Sequence, residues 1–276
     1  MGSATPFDRA VSQYASTTGN LTARMALHSH GTNPQGWFAW LGERLPLSGE
    51  VLEVGAGTGE LWHRIGRRGR LTLTDFSPAM CARLREVPGA RVLRCDAARL
   101  PYRDGTAGVV IANHMLYHLD DPDAALREFA RVLRPGGRLA VAVNGRDHLA
   151  ELNALGTVIG RPDLAVRFYD QNDVTAETTS ARIEAAGFSD VTVERYPDEL
   201  AVPAVEPILA YIASMIGPLT AAQEAATREA VGARIAADGA FRVRKHTVLV
   251  NAVRGSERFV GWGPYRRGAT DTMPAT

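Results

Sequence analysis

Val51-Leu52-Glu53-Val54-Gly55-Ala56-Gly57-Thr58-Gly59-Glu60-Leu61 is the stretch that decides the fold. A short apolar run enters three glycines at alternate positions, and a helical pattern follows. Glycine permits positive φ and lets a ligand come close to the backbone. The dinucleotide fingerprint G-x-G-x-x-G places its third glycine one residue later than Gly59. Here that position is Glu60. An acid at a helix N-terminus is poor company for a pyrophosphate, which seeks the positive end of the helix dipole. The loop therefore reads as a nucleoside cradle rather than a dinucleotide one.

Working outward, Leu71–Thr74 is a second candidate strand and Arg91–Arg94 a third. Val109–Ala112 and Leu139–Val143 follow as fourth and fifth. A helix is expected after Asp120-Asp121-Pro122, with Asp121 as N-cap and Pro122 in the first helical position. Leu126, Phe129, Val132 and Leu133 mark its apolar face, and Arg134-Pro135-Gly136-Gly137 stops it. Strands alternating with helices imply a parallel sheet covered on both faces. Further on, Val191–Tyr196 and Phe241–Val253 read as two long strands that pair antiparallel at one edge. The expected fold is α/β: a doubly wound, Rossmann-like seven-stranded sheet, mostly parallel with an antiparallel edge strand, plus helical cap insertions.

The domain layout follows. Residues 1–46 form an N-terminal helical lid, in which Trp37, Trp40, Leu41 and Leu45 fall at helical spacing. Residues 47–254 form the core, with insertions near 146–175 and 198–238. Both insertions follow strand ends where ligands bind in open α/β sheets. They read either as caps over a substrate or as plain outer-layer helix. Residues 255–276 are rich in Gly, Arg, Thr and Pro, the composition of a disordered tail.

Two acids stand at successive strand ends beside the glycine loop. Asp75 follows the second strand, where a carboxylate accepts both hydroxyls of a ribose. Asp96 follows the third, where one accepts from an exocyclic amine of adenine. Each acid alone is more often a surface or capping residue; together they favour an adenosine site.

With these residues in place, the chain resembles class I S-adenosylmethionine-dependent methyltransferases over about residues 50–145. Glu53-Val54-Gly55-Ala56-Gly57-Thr58-Gly59 is similar to that family's first motif, and Asp75-Phe76-Ser77-Pro78-Ala79-Met80 to its second. Asp96-Ala97 resembles its adenine contact, and Leu133 to Leu139 its turn into strand five. Asn113-His114-Met115-Leu116-Tyr117-His118 resembles the segment beside the sulfonium and the substrate. The resemblance implies S-adenosylmethionine as cofactor, held by Glu53, Gly55, Ala56, Gly57, Gly59, Asp75, Phe76, Met80, Asp96, Ala97 and Asn113. It also implies an N-terminal helix closing over the cofactor with a tyrosine. Tyr14 is the candidate, or else a packing residue.

Methyl transfer is an in-line displacement, so much of its rate comes from positioning. Where the acceptor carries a proton, histidine is the usual base. His118 is the first candidate, with a structural bond to the backbone or to Asp120 as the other reading; His114 is the second. Four residues apart, they share a face on a helical turn. That spacing also suits a metal, but no Glu follows His114 and no third ligand is evident, so no metal is expected. Tyr117 is a candidate substrate contact. His28 is another, and Phe168, Tyr169, Tyr211 and Met215 either line a pocket or serve as core. His63, His148 and His246 are not expected to be catalytic.

A net charge of +1 over 276 residues argues against a general grip on nucleic acid. Arg64, Arg67, Arg68 and Arg70 read as a solvated helix end. Lys245 is the single lysine among 31 basic residues, a sign of coding bias. Cys81 and Cys95 are too few for a disulfide scaffold and fit a reducing cytoplasm. No apolar run is long enough for a membrane span, and the first ten residues lack a secretory pattern. The expected function is O-, N- or C-methylation of a small molecule in specialised metabolism, by a monomer or homodimer without nucleic-acid or membrane partners. Three rivals remain: an S-adenosylmethionine-binding enzyme running a cyclisation, a nicotinamide oxidoreductase, and a non-catalytic binding module.

Overall fold

The computed structural model describes residues 26–47, 49–66, 69–165 and 172–255. The main sheet contains β1 (Glu50–Val54), β2 (Arg70–Asp75), β3 (Arg91–Arg94), β4 (Ala107–Asn113), β5 (Leu133–Asn144), β6 (Phe188–Arg195) and β9 (Thr247–Arg254). Their spatial order is β3-β2-β1-β4-β5-β9-β6. β1 to β5 are parallel, with Val51 opposite both Leu71 and Val109. β9 runs antiparallel between β5 and β6, with Val250 opposite both Val141 and Val193.

The strands read as continuous apolar runs because both faces are covered. Alternation sorts them. Leu52, Val110, Ala112 and Val141 enter one core with Phe129 of the helix α4 (Pro122–Val132). Val51, Val109, Ile111 and Ala140 enter the other. There they meet Trp40 and Leu41 of α1 (Trp37–Arg44) and Leu61 and Trp62 of α2 (Glu60–Ile65). Between β2 and β3 lies α3 (Pro78–Leu84). The start of α4 is as expected: Asp121 accepts from the Ala124 N–H at 2.8 Å, and Pro122 occupies the first turn.

The expected strand 241–253 is broken in two. β8 (Phe241–Arg244) leaves the main sheet and pairs antiparallel with β7 (Glu199–Val202), a strand absent from the sequence reading. The break falls at Lys245-His246, whose side chains are tied to Asp198 and Asp147. The 29–32 segment lies along β7, with Thr32 N–H donating to the Glu199 carbonyl and Ala201 N–H to that of His30. Around this small sheet pack α5 (Ala150–Val158), α7 (Glu206–Ile216) and α8 (Ala221–Asp238), while α6 (Thr179–Ala185) leads into β6. Leu27, Leu152, Leu155, Leu200, Ile212, Val231 and Phe241 share one buried cluster. The two insertions thus meet in one apolar core separate from the two that flank the main sheet. Among the described residues no helix is long and apolar enough to cross a membrane.

Candidate active site

The glycine loop does three different jobs. Gly55, Gly57 and Gly59 all have positive φ, at 67°, 58° and 75°. A Cβ on Gly55 would lie 2.8 Å from the Met115 Cβ, and one on Gly59 would lie 2.7 Å from a Val87 methyl. A Cβ on Gly57 would meet nothing, because Gly57 borders an open cleft. Gly59 does not line that cleft; it opens α2 and packs on Val87 and Leu84.

The cleft, about 360 Å³, lies at the C-terminal ends of β1, β2, β3 and β4. Glu53, Gly55, Ala56 and Gly57 line it from β1, and Asp75, Phe76 and Met80 from β2 and the start of α3. Asp96 and Ala97 follow β3, and Asn113, His114 and His118 close the far end. Phe38, Thr58, Cys95, Met115 and Leu119 also line the wall, none of them a candidate site residue in the sequence. Of these, Met115 and Leu119 carried the weakest signal, since apolar residues after a strand also read as core.

Asp75 joins two elements. Its carboxylate accepts the Gly57 N–H at 3.0 Å and the Ser77 N–H at 2.8 Å. Burial pushes its pKa up, and those N–H groups oppose the shift. Each oxygen keeps a further lone pair for a ligand hydroxyl. Glu53 lies deeper and is almost wholly buried. Burial pushes its carboxyl up to about 8, against the hydrogen bond from the Trp62 indole and with help from Asp75. A cation placed beside Glu53 would draw its proton off. Phe76 is exposed at the rim, with the Arg94 guanidinium 5.4 Å above its ring.

His114 and His118 both line the cleft, but not on one helical turn. His114 stands at φ 55°, and a 3-10 turn, Leu116–His118, follows it. Among the described residues Asn113 Oδ1 and His114 Nδ1 are buried with no hydrogen-bond partner. Buried polar atoms ordinarily have a hydrogen-bond partner, so these two leave acceptors available at the cleft. Tyr117 lies in the core behind them, its ring edge-on to His118 at 4.6 Å.

The family of proteins carrying a methyltransferase domain matches residues 52–141, which run from β1 into β5. A malonyl-[acyl-carrier protein] O-methyltransferase of Halorhodospira halophila is 35% identical over 52% of this chain and 50% of its own length. A demethylmenaquinone methyltransferase of Mycolicibacterium vanbaalenii is 34% identical over 54% of this chain and 72% of its own. This chain belongs to the class I S-adenosylmethionine-dependent methyltransferases. It spans about half the length of the first curated relatives it matches. The fold of a possible histamine N-methyltransferase from Thermotoga maritima superposes with a TM-score of 0.52 at 19% identity, covering 90% of this chain and 98% of that one.

The methyltransferase cofactor, S-adenosylmethionine, fits what the cleft offers. The open side of Gly57 leaves room for it, Asp75 keeps acceptors free for the hydroxyls of a ribose, and the unpartnered Asn113 Oδ1 and the Glu53 carboxyl suit an ammonium donor. The remaining expected residues fall elsewhere. Tyr211 and Met215 are placed in or against the apolar cluster of the insertions, not in the cleft wall, because their helix turns that face inward. His28 packs on His148, ring centroids 6.4 Å apart. Tyr14, Phe168 and Tyr169 lie outside the described residues.

Histidines set aside in the sequence reading prove to be clustered. The His246 backbone N–H donates to His148 Nδ1, and the His246 ring bonds Asp147 with Glu177 at 3.8 Å. Ligating atoms of Asp147, Glu177 and His246 lie within 4.8 Å of one another. Protein groups already engage both carboxylates, through Arg244 on Asp147 and the Arg146 N–H on Glu177. Tyr196 and Trp37, likewise missed, meet edge to face at 5.3 Å beside His114.

Proposed function

We propose that this methyltransferase moves the methyl group of S-adenosylmethionine to an O, N or C atom of a small molecule in specialised metabolism. The observation that carries the reading is the continuous cleft. It runs from Asp75 and the Gly57 backbone to two buried polar atoms that lack partners, Asn113 Oδ1 and His114 Nδ1. One end suits a nucleoside, Asn113 suits the cofactor's amino-acid end, and His114 presents a hydrogen-bonding group to an acceptor. A net charge of +1 supports a small acceptor over nucleic acid.

The bound cofactor supplies an electrophilic methyl. The chain's residues supply position and dryness. Asp75 and the glycine loop set the nucleoside, Glu53 and Asn113 orient the amino-acid end, and Met115 and Leu119 shield the reacting centre from water. His118 and His114 flank the place where an acceptor enters. Positioning of this kind accounts for much of a displacement's rate. The names of the relatives mention a quinone precursor and an acyl carrier protein; both belong to those proteins.

Calorimetric titration with S-adenosylmethionine, S-adenosylhomocysteine and NAD tests the reading. Micromolar binding of the two sulfur nucleosides without NAD is expected. Binding of NAD alone overturns it. Methyl loss from the cofactor during turnover separates transfer from a cyclisation that only borrows the sulfonium charge.

A further inference from the structure

We propose that the groove between α5 and α8 binds the alkyl chain of a free aliphatic carboxylate, with Arg234 holding the carboxylate at its rim. The groove measures about 300 Å³, at the lower end of the range for small-molecule sites, roughly 300–1,000 Å³. It shares no lining residue with the cofactor cleft. Its origin lies in the sequence of the two helices. α5 turns Ala150, Ala154 and Val158 toward the groove, at the four-residue spacing of one helical face. α8 contributes Ala230 and, one turn on, Arg234. Methyl side chains at three of these positions fill little of the space between the two backbones. Beneath them Leu155 and Phe241 of β8 form a buried apolar floor. Packed proteins leave few gaps larger than a water molecule, and this one is on the order of ten times a water's share of liquid volume. Val158 stands on the rim 53% exposed, so apolar surface is left facing water there.

Charge selects the head of the ligand. The ionisable residues in the groove wall are Glu151 and Arg234. Glu151 is committed elsewhere: its carboxylate accepts the Arg244 backbone N–H at 2.8 Å and lies 3.9 Å from the Arg244 guanidinium. Arg234 has no hydrogen-bond or ion-pair partner among the described residues. The groove therefore combines an apolar trough with one uncommitted cation. A guanidinium presents a fork of N–H donors that matches a carboxylate. Each methylene that leaves water for the trough adds to the binding. An alcohol of the same length fills the trough but leaves the guanidinium without a counter-charge, and an alkylammonium meets a like charge. The apolar strip is also narrow, because Arg228 and Glu229 of the same helix are exposed charges. A single alkyl chain fits such a strip better than the broad apolar face of a partner protein.

The test is calorimetry of the full chain with octanoate, octanol and octylamine, each kept below its micelle concentration. Saturable one-to-one binding of octanoate is expected, with octanol about tenfold weaker and octylamine unbound. Arg234→Gln changes an exposed side chain; it should weaken octanoate about tenfold and leave octanol alone. Ala230→Leu fills the groove and should remove binding of both. Ala154→Leu does the same from an exposed position on α5, which guards against a folding failure, and circular dichroism shows which variants are folded. Location is read separately. An octanoate carrying a terminal diazirine is photolysed with the protein in saturating S-adenosylhomocysteine, and the labelled peptides are identified. Label should fall within residues 150–158 or 230–241. Absence of saturable octanoate binding overturns the proposal. So does octanol or octylamine binding as tightly as octanoate, wild-type octanoate affinity in Arg234→Gln or in a folded groove-filling variant, or label confined to other stretches such as the glycine loop.

Discussion

At the scale of single residues, charge state decides most. Glu53 and its unfolded counterpart titrate far apart, at about 8 against 4.5. Between those values the unfolded chain gives up a proton that the native state keeps, so stability falls as pH rises through that window. Glu53→Gln keeps an acceptor for the Trp62 indole and removes the slope. At pH 8 the variant should be more stable than wild type by about 2–4 kcal/mol, with the gap closing toward pH 4.5. Thermal melts across pH 4.5–8.5 measure this, and parallel curves would disprove it. Asp75→Ala should weaken S-adenosylmethionine binding more than tenfold, about 1.4 kcal/mol. Calorimetry should run well below the melting temperature, because the Gly57 and Ser77 N–H groups lose their acceptor too. An unchanged affinity removes Asp75 from the nucleoside site. Both acids were visible in the sequence by their places at strand ends. The Glu53 shift was not, because it comes from burial on both faces of the sheet.

At the scale of elements, the glycine loop separates fold from function. Gly55→Ala forces a Cβ against Met115 and strains a positive φ, so stability should drop by about 2–3 kcal/mol. Gly57→Ala meets no protein atom and should cost only about 1 kcal/mol of backbone strain, yet it should abolish detectable cofactor binding. Denaturant melts and calorimetry on the two variants give the comparison. Equal binding in Gly57→Ala and wild type would show that no ligand approaches that backbone. Three glycines at alternate positions were plain in the sequence. Their division of labour was not, since Val87, Leu84 and Met115 reach them from other elements. The segment after β4 shows the same limit: spacing put His114 and His118 on one helical face, whereas a left-handed residue and a 3-10 turn bring them to the cleft.

At the scale of the whole molecule, one buried ion pair ties distant segments. Lys245, at the junction of β8 and β9, pairs with Asp198 and lies 5.0 Å over the Tyr196 ring. Asp198 also accepts the N–H groups of Thr32 and Asn33. The pair therefore links the N-terminal segment, the β6–β7 connection and the point where the chain passes from the small sheet to the large one. Lys245→Met or Asp198→Asn alone should each cost about 3–5 kcal/mol, and the double variant much less than their sum. Chemical denaturation of all four proteins measures the coupling. Additive losses would mean that the two residues act independently.

Sequence alone determined the parts of this protein whose causes are local. Short continuous apolar runs, glycines at a turn, Asp121 and Pro122 at a helix start, and acids at strand ends depend on neighbours a few residues away. They led to the parallel sheet and to most of the residues that line the cleft. Tertiary structure decided what depends on contacts across many residues. It broke the run 241–253 at Lys245-His246, because two different sheets compete for its hydrogen bonds. It gathered both insertions into one apolar core, sending Tyr211 and Met215 inward. It also brought Trp37, His114 and Tyr196 together from three separate elements at the far end of the cleft. Burial and long-range pairing fix such positions, and no spacing along the chain encodes them.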